Sequence, residues 1–221
     1  MHFRAILFDL DGTLLDTLED LADSMNSVLK AHGFPTHPDD AYRYFVGDGV
    51  VKLVSRSLPE SARDNDALVS GCVEAMGCEY SQRWAQKTRL YEGIAPLLNE
   101  LEQMGLKKAI LSNKPHELTQ AMTQHYLKRW HFDVALGAQD SFPRKPDPRG
   151  AWIVAKSLAT APEEFLYVGD TNTDMQTADA AGMFAAGVLW GFRTEQELRE
   201  SGARALVRRP LEMLSLLSAK Q

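Results

Sequence analysis

Two closely spaced aspartates follow an apolar run near the amino terminus. Asp9 and Asp11 begin the segment DLDGTLLDT, and the four residues before it, AILF, are all apolar. In an extended chain, residues two apart share a side, and Gly12 permits a tight turn directly after them. Two carboxylates this close repel each other, so either a cation lies between them or the pKa of one rises. Both outcomes are useful to an enzyme.

A second pair of acids lies much later, in the segment GDTNTDMQTADAAG, residues 169–182. Asp170 directly follows the apolar run that ends at Val168 and Gly169, and Asp174 comes four residues after it. Carboxylate oxygens are the ligands that hard divalent cations prefer. This segment therefore predicts part of a metal site.

Two further polar groups stand between the acid pairs. Ser112 and Asn113 follow another apolar run and precede Lys114 and Pro115, where a helix is expected to open. A hydroxyl and an amide near a helix amino terminus suit an anion. The loop RKPDP contains Lys145, a candidate cation for the same anion. Each group alone also fits a solvated strand end, a helix cap or a loop charge, but together they predict a site for phosphate and a divalent cation.

Five short apolar runs are typical of buried strands, and helical spacing of apolar residues separates them, as at Leu97, Leu101 and Met104. Alternating strands and helices predict an α/β fold, a Rossmann-like arrangement of three layers in which helices cover both faces of a parallel sheet. The polar groups should then meet at the carboxyl edge of that sheet. The predicted strands contain residues 5–8, 109–111, 134–136, 165–168 and 184–189.

A helical insertion interrupts this alternation, because the chain from residue 16 to 88 shows helical patterns and no convincing strand. Leu21 and Met25, for example, belong to one apolar stripe. We predict a helical cap domain, residues 16–88, inserted after the first strand of a core domain made of residues 1–15 and 89–221. The cap would sit above the carboxyl edge, where ligands bind in open α/β sheets.

In this order, the four polar groups resemble the signature motifs of the haloacid dehalogenase superfamily, and more narrowly those of its phosphoglycolate phosphatases. The similarity extends from Asp9 to Gly182, and the insertion matches the superfamily's cap. The segments FVGDGVVKLV and WGFRTEQEL are also similar to stretches of phosphoglycolate phosphatases. The resemblance implies an enzyme, a phosphoric monoester hydrolase that uses Mg²⁺ and an aspartyl-phosphate intermediate.

The resemblance also implies a role for each residue. Asp9 is the expected nucleophile and a Mg²⁺ ligand, while Asp11 is the expected general acid and base and offers its backbone carbonyl to the metal. Lys145 is expected to act in catalysis by holding phosphate oxygens. Asp170 is an expected Mg²⁺ ligand, and Asp174 is either a further ligand or a partner of one. The other expected phosphate-binding residues are Ser112, Asn113 and Gly12.

Substrate choice rests on fewer residues. The resemblance favours 2-phosphoglycolate, whose carboxylate would need a cation from the cap, and Arg43, Lys52 and Arg56 are candidates that equally fit a solvated basic face. Pyrophosphate, sugar phosphates and nucleotides remain alternatives. A mutase similar to β-phosphoglucomutase is a further alternative, although such mutases carry a histidine in the first cap helix, where this chain has an apolar stripe. A non-catalytic phosphate-binding module is a more distant alternative.

Composition narrows the partners. The 221 residues carry a net charge of -6 and no dense cluster of Lys and Arg, so neither nucleic acid nor an anionic membrane is an expected partner. The longest markedly uncharged stretch, residues 180–192, is shorter than the roughly 20 residues of a membrane span. The amino-terminal residues do not resemble a signal peptide. We therefore expect a cytoplasmic monomer or homodimer that binds a small phosphorylated metabolite.

Overall fold

A computed structural model describes residues 2–218 of the chain. The chain divides into two compact units. The core unit comprises Met1–Leu15 and Leu90–Gln221, and the helical unit comprises Asp16–Arg89. Both crossings between the units lie in a two-stranded sheet, formed by Leu15–Asp16 and Arg89–Leu90.

Strands and helices alternate through the core unit. In the helical unit, the first residue, Asp16, and the last, Arg89, belong to strands, and the regular elements between them are α-helices and short 3₁₀ helices. The strands are β1 (Ala5–Phe8), β2 (Leu15–Asp16), β3 (Arg89–Leu90), β4 (Lys107–Pro115), β5 (Val134–Ala138), β6 (Phe165–Gly169), β7 (Phe184–Val188) and β8 (Ala205–Val207). The α-helices are α1 (Leu18–Ala31), α2 (Tyr42–Phe45), α3 (Val50–Ser57), α4 (Asp66–Arg83), α5 (Ile94–Gln103), α6 (His116–Tyr126), α7 (Arg149–Ser157), α8 (Asn172–Ala181), α9 (Glu195–Glu200) and α10 (Met213–Ser218). The 3₁₀ helices are Asp39–Ala41, Glu60–Ala62, Pro162–Glu164 and Pro210–Glu212.

The main sheet has six strands in the order β5-β4-β1-β6-β7-β8, and every neighbouring pair is parallel. All four residues of β1 and all five of β6 are buried, as expected for strands covered on both faces. The crossover helices flank this sheet and confirm the predicted α/β fold class. Because the strands run the same way, their carboxyl ends share one edge, and β1 lies there between β4 and β6.

A hydrophobic cluster, whose residues all belong to the core unit, packs helices α7, α8 and α9 against the sheet. It joins side chains of the central strands, such as Leu7 and Tyr167, to helix residues such as Val154, Met175 and Ala178. Complete burial of a large aliphatic or aromatic side chain contributes about 1.5–3 kcal/mol. The cluster therefore makes the sheet a rigid support for the residues that follow its strands.

The helical unit has its own buried side. In α1 the apolar stripe is buried at Leu21, Met25 and Val28, and this helix packs against α4. The α4 helix begins at an N-cap residue, Asn65, whose side chain accepts a hydrogen bond from Leu68 N. Its designation as a cap over the site stays a prediction.

Two features of the sheet were not anticipated. A sixth strand, β8, lies at one edge of the sheet; its segment ALV is too short to give a periodic pattern and is a strand through its pairing with β7. The β4 strand also extends four residues beyond the predicted Leu111, so it contains Ser112, Asn113 and Lys114 themselves. Among the residues the structure describes, no helix combines the length and apolarity that a bilayer crossing requires.

Candidate active site

Sheet register brings the two acidic segments together. Phe8 of β1 pairs with Ile110 of β4 on one side and with Val168 of β6 on the other. The backbone N–H of Asp9, the next residue, donates to the carbonyl of Val168 at 2.9 Å. Asp9 therefore lies beside the strand that leads directly into Asp170.

Lys145 reaches this edge from the loop before α7 and joins two of the acids. Its Nζ lies 2.9 Å from Asp9 Oδ1 and 2.7 Å from Asp174 Oδ1, and it donates a hydrogen bond to the carbonyl of Leu111 at 3.1 Å. The side chain of Lys145 is only 3% exposed. A buried ammonium is tolerated when it is paired in this way.

Three buried carboxylates lie close enough to share a cation. One oxygen each of Asp9, Asp170 and Asp174 fall within 4.8 Å of one another. Asp9 Oδ1 is buried and, despite its ion pair with Lys145, forms no hydrogen bond with acceptable geometry to any residue in the described range 2–218. Three carboxylates facing one ammonium leave an excess of negative charge. Oxygen donors with this unbalanced charge fit a hard divalent cation.

The same crowding shifts the pKa values of the acids. Burial, followed by the charge of Asp174, raises the pKa of Asp9 well above its ordinary value, although Lys145 opposes the shift. Burial and then Asp174 raise the pKa of Asp170 to about 7. Burial alone would lower the pKa of Lys145, but Asp174 and Asp9 outweigh it and raise that pKa, so the lysine stays charged.

Asp170 is held from two sides. Thr13 Oγ1 donates to its Oδ1 at 2.8 Å, and the backbone N–H of Phe192 donates to its Oδ2 at 2.8 Å. Gly12 has φ +83°, and a Cβ at this position would lie 2.2 Å from Asp170 Oδ2. Glycine at position 12 thus permits both the turn and the close approach of Asp170, and its predicted contact with phosphate stays a prediction.

Both oxygens of Asp174 are already engaged. Oδ1 accepts from Lys145 and, at 3.5 Å, from the hydroxyl of Tyr167. Oδ2 accepts from the backbone N–H and the hydroxyl of Thr171, at 3.1 and 2.7 Å. This arrangement favours the second of its two predicted roles, in which Asp174 orients Lys145 instead of serving mainly as a metal ligand.

Asp11 forms an ion pair with a second buried lysine, Lys114. Lys114 Nζ lies 3.1 Å from Asp11 Oδ2, and the two side chains are 4% and 13% exposed. Lys114 directly follows Ser112 and Asn113 in the sequence, and no role was predicted for it. Its position in the same triplet at a strand end was the only available signal, because the partner lies about a hundred residues away in the chain.

The amide of Asn113 binds backbone atoms. Its Oδ1 accepts from Lys145 N at 2.9 Å, and its Nδ2 donates to Lys145 O at 3.1 Å. This reciprocal pair fixes the loop that carries Lys145, which favours a positioning role over the predicted contact with phosphate. Ser112 Oγ accepts from Lys114 N at 3.2 Å, and its predicted phosphate contact stays a prediction.

Two other residues contact the site, and the sequence did not predict that they would. The indole of Trp190 donates to the carbonyl of Thr13 at 2.9 Å and so supports the turn after Asp11. Tyr167 lies buried beneath Asp174 and Lys145. In the sequence both look like ordinary packing residues, because only their contacts with distant segments distinguish them.

The three cations proposed for substrate binding lie in the helical unit. Arg56 pairs with Asp48 and donates to the carbonyls of Tyr44 and Phe45, so its guanidinium already stabilises the turn before α3. Arg43 pairs with Asp40 at 3.3 Å. Lys52 is exposed. Their predicted contact with a substrate carboxylate stays a prediction.

Topology and the buried acidic cluster define an α/β protein whose candidate site lies at the carboxyl edge of a parallel sheet. The model of the haloacid dehalogenase-like hydrolase family matches residues 6–188. The chain belongs to that family and, as predicted, is an enzyme, a phosphoric monoester hydrolase.

Individual relatives agree with this assignment. A phosphoglycolate phosphatase of Vibrio parahaemolyticus is 34% identical over 206 residues, which are 90% of this chain and 89% of the relative. A phosphoglycolate phosphatase of Nitrosospira multiformis is 33% identical over 215 residues, 94% of each chain. The crystal structure of a candidate phosphoglycolate phosphatase from Lactobacillus delbrueckii subsp. bulgaricus covers all of both chains with a TM-score of 0.92 and 29% identity.

Proposed function

We propose that this protein is a Mg²⁺-dependent phosphatase that hydrolyses 2-phosphoglycolate to glycolate and phosphate through a phosphorylated Asp9. The observation that carries the proposal is the buried cluster in which Asp9 pairs with Lys145 at 2.9 Å and lies within reach of two further carboxylates. Such a group supplies a nucleophile, a cation for the phosphoryl group and a site for a metal.

Asp9 and Asp170 are the side chains proposed to hold Mg²⁺, with the backbone carbonyl of Asp11, and Asp174 stands next to them. The bound ion would neutralise charge on the phosphoryl oxygens, which is the main requirement of phosphoryl transfer between anions. The excess of carboxylates over ammonium groups supports this assignment. The engaged oxygens of Asp174 support a role in keeping Lys145 in place.

The first half of the reaction transfers the phosphoryl group to the protein. An oxygen of the Asp9 carboxylate forms a bond to phosphorus, and the bond from phosphorus to the ester oxygen breaks. The electron pair goes to the ester oxygen, which takes a proton from Asp11 and leaves as an alcohol. Lys145 stabilises the charge on the transferred group.

The second half returns the protein to its starting state. A water oxygen attacks phosphorus while Asp11 accepts one of its protons, and the bond between phosphorus and Asp9 breaks. Phosphate leaves, Asp9 is again a carboxylate, and Asp11 is again protonated. Only Leu10 separates the two acids, yet Asp9 contacts Lys145 and Asp11 contacts Lys114.

The choice of 2-phosphoglycolate is supported by the names of relatives that match at least nine-tenths of this chain. A panel of phosphoesters that includes pyrophosphate, hexose phosphates and nucleotides tests it by phosphate release, with Mg²⁺ and with a chelator. We expect 2-phosphoglycolate to give the highest kcat/KM and the chelator to abolish turnover. A faster substrate in the panel would contradict the substrate, and net conversion of a hexose 1-phosphate to its 6-phosphate would contradict hydrolysis.

The nucleophile is tested by Asp9→Asn, with Asp179→Asn as the matched control, since Asp179 is largely exposed on α8. We expect the Asp9 variant to lose phosphate release by at least about 10³-fold and the control to keep it. Acid quenching of wild type during turnover should also trap phosphate on the peptide that contains Asp9. Normal turnover by Asp9→Asn would contradict the mechanism.

A further inference from the structure

The site contains a second buried lysine that the reaction outlined above leaves without a role. Lys114, at the end of β4, has a side chain 4% exposed, and its Nζ lies 3.1 Å from Asp11 Oδ2. Its backbone is fixed on both sides, because its N–H donates to Ser112 Oγ and its carbonyl accepts from Thr119 Oγ1. A buried ammonium costs stability unless it is well paired, so its position calls for an explanation.

The two oxygens of Asp11 have different surroundings. Oδ2 faces Lys114, whereas Oδ1 is buried and has no hydrogen-bond partner within residues 2–218. The Asp11 carboxylate is also absent from the cluster in which Asp9, Asp170 and Asp174 could share an ion. One oxygen is therefore held by the protein, while the hydrogen-bonding capacity of the buried Oδ1 is not used by any residue in the range 2–218.

We propose that Lys114 is a positioning residue that holds Asp11 by Oδ2 and turns Oδ1 toward the ester oxygen of the substrate. The inference rests on the proposed function. A proton donor acts efficiently only when its reacting atom is fixed within hydrogen-bond reach of the acceptor. The ammonium also stabilises the carboxylate that appears on Asp11 as the proton leaves.

Two classes of substrate can distinguish a lysine that positions Asp11 from a lysine that binds the phosphate. An alkyl phosphate such as 2-phosphoglycolate releases a poor leaving group that needs the proton from Asp11. The aryl ester p-nitrophenyl phosphate releases a stable phenolate that does not. Because Asp11 also serves as the base in the second half of the reaction for both substrates, the comparison uses kcat/KM, which reports the steps up to phosphoryl transfer to Asp9. A misplaced Asp11 should lower kcat/KM much more for the first substrate than for the second, whereas loss of a phosphate-binding cation should lower it for both.

The experiment compares wild type, Lys114→Met and Lys114→Arg on both substrates with saturating Mg²⁺. Lys108→Met is the matched control, because Lys108 is another buried lysine of β4, 3% exposed, that pairs with Glu102 away from the cluster. For Lys114→Met we expect kcat/KM for 2-phosphoglycolate to fall about 10²-fold and kcat/KM for p-nitrophenyl phosphate to fall less than about fivefold. Lys114→Arg should recover part of the loss, and the control should show neither effect.

A double variant tests whether Lys114 acts through Asp11. If it does, adding Lys114→Met to Asp11→Asn should lower turnover of 2-phosphoglycolate by less than about threefold, because the group it positions is already gone. Thermal unfolding monitors the fold of each variant. Should Lys114→Met fail to fold, Lys114→Gln takes its place under the same expectations.

Several outcomes would overturn the inference. Equal losses on the two substrates, a loss confined to KM, or full additivity with Asp11→Asn would show that Lys114 does not act by orienting Asp11. Unchanged turnover in every Lys114 variant would do the same while leaving the proposed function intact. If wild type releases phosphate from neither substrate, the proposed function itself is wrong.

Discussion

Each buried lysine of the site lies against aspartates from segments that are distant in the chain. Lys145 lies between Asp9 and Asp174, and Lys114 lies against Asp11. This arrangement gives neighbouring aspartates different surroundings, one inside an acidic cluster and the other outside it. Two carboxylates with different surroundings can perform different steps, which is how a nucleophile and a proton donor can stand two residues apart.

Asn113 offers a test of positioning at the residue scale. We expect Asn113→Ala to lower kcat/KM by about 10–100-fold, because the loop of Lys145 loses two hydrogen bonds to a buried amide. Asn65→Ala is the control: it removes a helix cap in the helical unit, costs about 1 kcal/mol of stability and should leave activity unchanged. Steady-state kinetics and thermal unfolding measure both variants. An equal loss of activity in the two would contradict the positioning role.

Asp170 makes the stability of the metal-free protein depend on pH. Its pKa rises to about 7 in the folded protein, mainly through burial, so between about pH 4 and 7 the folded protein keeps a proton that the unfolded chain has released. Stability should therefore fall as the pH rises through this window. Urea unfolding in a chelator at about pH 5, 6, 7 and 8 should show the decline in wild type and a smaller one in Asp170→Asn.

Asp9, whose pKa is also raised by burial and then by the charge of Asp174, should contribute a decline of the same sign in both proteins, so the contribution of Asp170 is the difference between their slopes. Hydrogen bonds lower the pKa values of Asp147, Glu195, Glu197 and Glu212, so the stability that these four acids contribute is fully present above about pH 5 and changes only at lower pH. Mg²⁺ should reduce the wild-type decline, because a bound cation favours the charged form of Asp170. Identical slopes for wild type and Asp170→Asn without metal would show that this carboxyl group does not titrate in the window.

At the scale of elements, close packing between β6 and α8 fixes the acids. A Cβ on Gly169, the last residue of β6, would lie 2.3 Å from Asp174 Cβ and 2.4 Å from its Cγ. The α8 helix opens with a capping box, in which Thr171 and Asp174 exchange hydrogen bonds. The end of β6 and the start of α8 therefore fix the positions of Asp170 and Asp174 relative to each other.

Gly169→Ala tests this packing. We expect a loss of about 1–3 kcal/mol of stability and at least a tenfold loss of activity, because the new methyl group displaces Asp174 from Lys145. Gly71→Ala in α4 is the matched control, since no atom lies within 4 Å of its added Cβ, and it should raise stability by about 0.5–1 kcal/mol. Urea unfolding and steady-state kinetics measure both. Full activity in Gly169→Ala would contradict the account.

At the scale of the whole molecule, the proposed site and the core cluster both lie within the core unit. The two connections to the helical unit are adjacent, because β2 and β3 pair with each other. Chemistry and substrate choice can thus be carried by different parts of one chain. The cytoplasmic location and the monomeric or homodimeric state remain predictions.

Excision of residues 17–88, with Asp16 and Arg89 joined by an Asn-Gly turn, tests this division. We expect a folded protein with one cooperative unfolding transition, because the core cluster loses no member. It should keep some Mg²⁺-dependent hydrolysis of p-nitrophenyl phosphate and lose its preference for 2-phosphoglycolate along with the candidate cations of the helical unit. Circular dichroism and kinetics measure both properties. An unfolded product, or an unchanged substrate preference, would contradict the prediction.

The sequence by itself determined which residue types follow which strands. Apolar runs, glycine turns and acids are local patterns, and the α/β fold class was predicted correctly from them. The enzyme class was predicted correctly from the resemblance of the motifs to the superfamily, and the inserted cap domain stays a prediction. The same patterns singled out Asp9, Asp11, Lys145, Asp170 and Asp174, which the structure brings to one edge of the sheet. The strands β2, β3 and β8 were not predicted, because two or three residues cannot display a period.

Tertiary structure alone decided strand order and the pairing of charges. The placement of β1 between β4 and β6 depends on packing among segments about a hundred or more residues apart, and no local pattern records it. For the same reason the sequence could not assign Lys114 to Asp11, Lys145 to Asp9 and Asp174, or the Asn113 side chain to the backbone of Lys145. A charged residue shows its type in the sequence, but its partner is fixed only when the chain folds.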